Sequence, residues 1–274
     1  MLRFERRRDR DRSCMIGTTL WYGHKPFGER IEKLLGIGFD YFEIALDFPF
    51  PDDNEELKRV IREYELKTAF HAPLDILLAS PREEIFGASL KVFEKCLKFA
   101  ANFETLYFNF HVFHFTPTFL LPEIREKGVK KLGKAIELAA KLSNEFGFEI
   151  CIENDTFFVE DFIIGDVKLT LDIGHFAIEA KRWGRDYKVD LQEFCRNHRS
   201  RVLVAHVHDV SFSKMCDHLP LGKGELDLRI IKHALDEIKP RFSLLEVFWK
   251  SAQFGDFATL VELEESLKIL TAWL

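Results

Sequence analysis

Residues 202–209 read VLVAHVHD, an apolar run of strand length that turns at His206 into imidazole and carboxylate. Consecutive apolar positions over so short a span suit a strand buried on both faces, as in a parallel sheet. Working outward, the same unit recurs as MIGTTL (15–20), DYFEIAL (40–46), LKTAFH (66–71), TLYFNFH (105–111), FEICIEN (148–154), VKLTLD (167–172) and FSLLEVF (242–248). Between these runs lie segments with apolar residues at i, i+3, i+4 and i+7. They include EELKRVIREYE (55–65), SLKVFEKCLKFAANF (89–103), VKKLGKAIELAAKLSNEFG (129–147), LRIIKHALDEIK (228–239) and ATLVELEESLKILTAWL (258–274). The connection DTFFVEDFIIGD (155–166) is short, with room for a single helical turn. Strands alternating with helices specify βαβ units and a parallel sheet. Eight of them, with no Gly-rich phosphate turn after the first, predict a closed barrel rather than a doubly wound sheet. The expected fold is a single (β/α)8 TIM barrel with its active site at the C-terminal ends of the strands.

The 274 residues are 47% hydrophobic and 31% charged, the composition of a globular chain able to bury a large core. A formal net charge of −6 argues against nucleic acid as partner, because phosphate binding leaves a basic footprint. No apolar run reaches the length of a membrane helix, and no apolar core of a secretory signal follows the opening charges. Five cysteines, odd in number and irregularly spaced, read as reduced thiols of a cytoplasmic protein. Of these, Cys14, Cys96, Cys151 and Cys195 are assigned to the tail or to packing. Residues 1–14, where arginines interleave with acids, read as a disordered basic tail, leaving 15–274 as the TIM-barrel domain. The 28 phenylalanines are ascribed to core filling.

A barrel of this kind puts its chemistry at the C-terminal strand ends. Glu43, His71, His111, Glu153, Asp172, His206 and Glu246 stand at those ends, with His175 and His218 in the loops that follow. Alone, each has an ordinary explanation as a helix cap or a hydrogen-bonded structural residue. Together they do not, because carboxylates converging on one mouth repel each other and are costly to desolvate without a cation. Divalent metal ions remove that objection. The mixture of imidazole and carboxylate fits Zn²⁺ or Mn²⁺, with one to three ions.

FHAPLD (70–75), NFHVF (109–113), CIEND (151–155), TLDIGHF (170–176), VAHVHD (204–209), DHLPLGKGELD (217–227) and LLEVF (244–248), in this order, resemble the metal-site motifs of the xylose isomerase-like TIM barrels, particularly the endonuclease IV branch. The likeness runs from about Met15 to the C-terminus. It implies that His71 and His111 bind a first metal and that Glu153 bridges to a second, completed by Asp172, His206 and Glu246. The branch's third position takes His175 with an Asp-x-His pair. Here His218 fits the histidine, Cys216 stands two residues before it, and the acid is found at Asp217. Cys216 or Asp217 completes that position, or the third metal is lost. The subset Glu153, Asp172, His206 and Glu246 is also similar to the single-metal site of the superfamily's sugar isomerases and epimerases, where two glutamates form the acid–base pair.

Other polar residues are weighed more lightly. His114, His208 and Asp209 are candidates for substrate binding or support, since a metal-bound histidine needs an acceptor on its other nitrogen. Lys223 of LGKG is a candidate anion contact, while Gly222 and Gly224 shape a turn. His24, His198 and His233 receive no role. One enzymatic reading is isomerisation or epimerisation of a small sugar, sugar phosphate or polyol, with Glu153 and Glu246 as catalytic residues moving the proton on opposite faces of a carbon. No arginine stands beside DHLPLGKG, where the resemblance leads one to expect it. The other is metal-dependent phosphodiester hydrolysis of abasic-site DNA or a small phosphorylated compound, which employs His71, His111, His175 and His218. Asp75 and the overall charge count against DNA. A barrel that binds metal without catalysis is the third reading, disfavoured because buried strand-end charges are costly to keep. The balance falls to a small-molecule substrate and to isomerisation.

Overall fold

The computed structural model describes residues 14–112, 117–155 and 162–274. Eight strands close into one barrel: β1 (Met15–Leu20), β2 (Tyr41–Ala45), β3 (Thr68–His71), β4 (Thr105–Phe110), β5 (Glu149–Glu153), β6 (Lys168–Asp172), β7 (Val202–Val207) and β10 (Phe242–Leu245). Every neighbouring pair is parallel, and the ring runs β1-β10-β7-β6-β5-β4-β3-β2. The helices are α1 (Phe27–Ile37), α2 (Glu55–Glu63), α3 (Glu83–Ala100), α4 (Pro122–Phe146), α5 (Ile173–Arg182), α6 (Tyr187–His198), α7 (Leu228–Ile238) and α8 (Leu260–Trp273). This is the (β/α)8 barrel that the alternation predicts. An antiparallel ribbon of β8 (Asp209–Ser211) and β9 (Cys216–Leu219) is inserted between β7 and α7. The helical turn expected within 155–166 falls largely on 156–161, outside the described residues, as does the expected tail apart from Cys14. That residue is buried, with Sγ 3.3 Å from Ser243 Oγ.

Side chains along a strand alternate between the two faces of the sheet. On the inner face, Tyr41, Ala69, Tyr107, Cys151, Val204, Phe242 and Leu244 form an apolar cluster that plugs the barrel. Gly17 leaves room for it, since a Cβ there would strike the Tyr41 ring. Two residues further along the same strands stand Glu43, His71, Asn109, Glu153, His206 and Glu246, all buried. One period-2 pattern therefore builds both the hydrophobic floor and the polar mouth above it.

The outer face packs on the helices. Phe42, Ile44, Phe70, Phe108 and Phe110 join the main core there, and Phe93 of α3 meets the Phe108 and Phe110 rings edge-on at 5.8 and 5.0 Å. Each fully buried side chain of this size contributes about 1.5–3 kcal/mol. The abundant phenylalanine thus fills the layer between strands and helices.

Candidate metal centre

Glu153, the last residue of β5, is buried at the barrel mouth with four imidazoles facing its carboxylate. His71 Nε2 lies 3.2 Å from Oε2, and His206 Nδ1 lies 3.2 Å from Oε1. His111 Nε2 and His175 Nδ1 each stand 3.8 Å from Oε1. His206 Nδ1 is also 3.0 Å from Glu246 Oε2 and 3.9 Å from Asp172 Oδ2. Two sets of side chains result, His71–His111–Glu153 and Glu153–Asp172–His206–Glu246, with ligand atoms within 4.8 Å of one another in each. Glu153 belongs to both.

Neighbouring groups fix these side chains. His71 Nδ1 lies 2.7 Å from the Ala72 carbonyl, which accepts its proton and leaves Nε2 for Glu153 or a cation. Glu43 Oε2 lies 3.4 Å from His206 Nε2, on the side of the ring away from Glu153. The Asn109 amide donates to Glu153 Oε2. Asn154 accepts from the Asp172 N–H and donates to its carbonyl, both at 2.8 Å. Asn109 and Asn154 were missed in the sequence and Glu43 was given no role, because their partners lie on other strands. His208, expected to orient His206 or touch substrate, instead directs Nε2 at both Asp172 oxygens, at 3.0 and 3.1 Å.

A third group forms where α5 meets the ribbon. His175, His208 and His218 bring ring nitrogens within 4.8 Å of one another, and the Asp217 carboxylate lies 3.5 Å from His175 Nε2. Two further candidates have partners within the chain. The Asp209 oxygens accept from the backbone N–H groups of Val210, Gly222, Gly224 and Leu226, tying the 222–226 loop to the ribbon. Lys223 is exposed and stands 3.8 Å from Glu265 on α8. His114 lies outside the described residues. At the rim beyond β1 and β10, Trp21 and Trp249 flank Phe257 at 6.0 and 5.2 Å, an aromatic wall the sequence reading did not single out.

Burial opposes every charge in the mouth, and the partners decide the outcome. Against burial, Glu153 holds the His71 imidazole up at about 10. Against burial, Asp172 and then Asp217 hold His175 up at about 9. For His111 and His218 burial prevails and the pKa falls. Burial would raise the carboxylates, but the imidazoles keep Glu153 and Asp172 below the usual range and hold Glu246 at about 2.

The residues fit a metal. Glu153 Oε1, Glu246 Oε2, His175 Nδ1 and His206 Nδ1 are buried with no hydrogen-bond partner among the described residues. The short approaches around Glu153 Oε1 therefore bring lone pairs to a shared space without the angles of hydrogen bonds. A buried orphan costs on the order of 1–3 kcal/mol, and one cation satisfies several at once. Imidazole nitrogen with carboxylate oxygen is the donor set of Zn²⁺ and Mn²⁺ sites.

A family model described as xylose isomerase-like TIM barrel matches residues 31–273. No curated protein matches the sequence. Among solved structures, D-allulose 3-epimerase from a Methylomonas species superposes with a TM-score of 0.71 at 17% identity, covering 95% of this chain and 98% of that one. D-psicose 3-epimerase from Clostridium cellulolyticum gives 0.69 at 18%, covering 94% and 98%. Endonuclease IV from Thermus thermophilus gives 0.64 at 20%, again covering 94% and 98%. At these identities the likeness is one of fold. Among the described residues no helix is long and apolar enough to cross a membrane.

Proposed function

The chain belongs to the xylose isomerase-like TIM barrel family, and from that premise we propose that it is a divalent-metal-dependent hydrolase acting on a phosphate ester of a small molecule. The observation that carries this reading is the position of Glu153 in both ligand sets. A carboxylate shared by two sets suits a pair of cations, and paired cations are the usual means of displacing an oxygen at phosphorus. When bound, such ions supply Lewis acidity toward phosphoryl oxygens and a source of hydroxide at neutral pH. His71 and His111 would hold one ion, and Asp172, His206 and Glu246 the other, with Glu153 common to both. Asn109 and His208 keep Glu153 and Asp172 oriented, while Glu43 holds the His206 ring. The acidic chain favours a small substrate over DNA.

Isomerisation or epimerisation of a sugar, first in the sequence reading, becomes the second. The closeness of Glu153, Asp172, His206 and Glu246, a set sufficient for one metal, supports it. The surroundings of Glu153 weigh against it. A proton-transfer base needs a free oxygen facing the substrate carbon, and Glu153 is ringed by His71, His111, His175 and His206.

Protein loaded with Zn²⁺ or Mn²⁺ is to be assayed with p-nitrophenyl phosphate, bis-p-nitrophenyl phosphate, an abasic-site oligonucleotide, and a panel of ketoses and ketose phosphates. Metal-dependent release of p-nitrophenol is expected, falling about 100-fold or more in Glu153→Gln. Interconversion of a ketose without cleavage of any phosphoester would reverse the order of the two readings.

A further inference from the structure

Resting on the phosphate-ester reading above, we propose that the aromatic wall beyond β1 and β10 is a subsite that stacks a planar ring of the substrate, a nucleobase or another aromatic group. Trp21 is the first residue after β1. Trp249 and Phe257 face each other as an antiparallel pair. The Ala258 N–H, bonded to the Phe248 carbonyl at 2.8 Å, and the Lys250 N–H, bonded to the Asp256 carbonyl at 2.7 Å, close that hairpin. Residues paired in this way put their side chains on one face. The rings then follow one another. Trp21 to Phe257 is 6.0 Å at 30°, Phe257 to Trp249 is 5.2 Å at 34°, and Trp249 to Phe254 is 4.6 Å at 40°. Such small successive tilts make one shallow surface, on which Phe254 is 88% and Phe257 54% exposed. Gly23 helps to build it, since a Cβ there would strike the Trp21 ring.

The wall is fastened to the mouth. The Trp249 N–H donates to the His218 carbonyl at 3.2 Å, and the adjoining Phe248 ring lies 4.5 Å from the His218 imidazole, centroid to centroid. His218 Nδ1 is in turn 3.2 Å from the Glu246 carbonyl. A phosphate held in the mouth therefore leaves the rest of its ester beside these rings. The neighbouring polar side chains are paired with one another. Tyr22 Oη donates to Asp53 at 2.6 Å, Lys25 Nζ donates to the same carboxylate at 3.1 Å, and Ser251 Oγ donates to Asp256 at 2.8 Å. A bare polyol needs hydrogen bonds that groups so engaged do not offer, whereas a planar ring gains by stacking alone. An exposed apolar patch of this kind, drawn from both ends of the chain, marks an interaction surface. The acidic chain disfavours a nucleic-acid strand as the bearer of the ring, which leaves a small molecule.

The test reads binding without reference to turnover. Calorimetric titration of the full-length protein compares adenosine with ribose, and phenyl glucoside with glucose. In at least one pair the ring-bearing member is expected to bind about tenfold or more tightly than its counterpart, and which pair does so tells a nucleobase from an aryl group. Phe257→Ala and Phe254→Ala are expected to cut that preference about fivefold or more, and Trp249→Phe to retain it, with circular dichroism verifying the fold of each. The comparison within each pair requires no variant. Equal affinities within both pairs, or a preference that survives both alanine variants, would overturn the proposal. So would a concentration-dependent dimer in sedimentation that Phe254→Asp dissociates, which would give the wall to a second copy of the chain. Ring-dependent binding without cleavage of any phosphoester would leave this subsite standing and remove the functional reading; cleavage with no preference for a ring would do the reverse.

Discussion

Glu43 sits in the middle of β2, fully buried, and neither carboxylate oxygen has a hydrogen-bond partner among the described residues. Among the candidate ligands, His206 faces it, with Nε2 at 3.4 Å. An imidazole that offers Nδ1 to a cation carries its proton on Nε2, and a carboxylate there fixes both tautomer and ring orientation. Glu43→Gln preserves the volume and removes the charge. Affinity of the metal pair is expected to fall about 10–100-fold, read by competition with a chromogenic chelator; an unchanged affinity would show that packing alone holds His206. The positions of the clustered side chains were legible in the sequence because each ends an apolar run, and period-2 alternation gives their common face. The supporting residues were not. Asn154 matters only through the Asp172 backbone on the next strand, and Asp209 only through N–H groups of the 222–226 loop, 13 to 17 residues onward for Gly222, Gly224 and Leu226. Hydrogen-bond partners set by register and loop path leave no trace in local composition.

Among the elements, α5 governs how β6 and the ribbon meet. It starts at Ile173 with no intervening loop, and Asp172 accepts from the His175 N–H at 2.6 Å as its N-cap. The same carboxylate thus starts the helix and faces the second ligand set. Gly174, in the first turn, lets the His208 ring lie directly against the helix backbone, where a Cβ would overlap it. Gly174→Ala is therefore expected to displace His208 from Asp172 and to destabilise the protein by about 1–3 kcal/mol through overpacking. Gly133→Ala is the control, since nothing lies within 4 Å of a Cβ there. In the middle of α4 that change is expected to stabilise by about 0.5–1 kcal/mol. Urea titration of both variants checks the pair, and equal shifts of the same sign would refute the close-approach argument. The barrel strands and the helices α2, α3, α4, α7 and α8 were readable from periodicity, but α1, α5, α6 and the ribbon were not marked out. The ribbon strands are too short for a period to emerge, and α5 buries seven of its ten residues, His175 and Glu179 among them, so it shows no clean apolar stripe.

At the scale of the whole molecule, the mouth is expected to tie folding stability to pH and, on the metal-dependent reading proposed above, to metal. For metal-free protein, prepared with a chelator, the signs follow from which state holds each proton more tightly. His71 and His175 are raised from 6.5 to about 10 and about 9, so their contribution is complete below pH 6.5 and is lost as pH rises through those values. His111 and His218 are lowered from 6.5, so they disfavour the fold increasingly as pH drops below that point. Glu246, lowered from 4.5 to about 2, adds a further loss as pH falls from 4.5 toward 2. Stability of the chelated protein is therefore expected to peak near pH 6.5 and to decline on both sides. A bound cation takes the place of the protons on His71 and His175, so metal affinity climbs with pH across the alkaline limb. At a free metal concentration 1,000 times Kd, each ion adds about 4 kcal/mol, or roughly 10 °C in Tm for a domain of this size. Calorimetric scans of loaded and chelated protein from pH 5 to 9 measure that gap, which is expected to widen from pH 6.5 upward. A gap that is flat or narrows toward pH 9 would mean that the carboxylates of the mouth hold their imidazolium partners in preference to a metal.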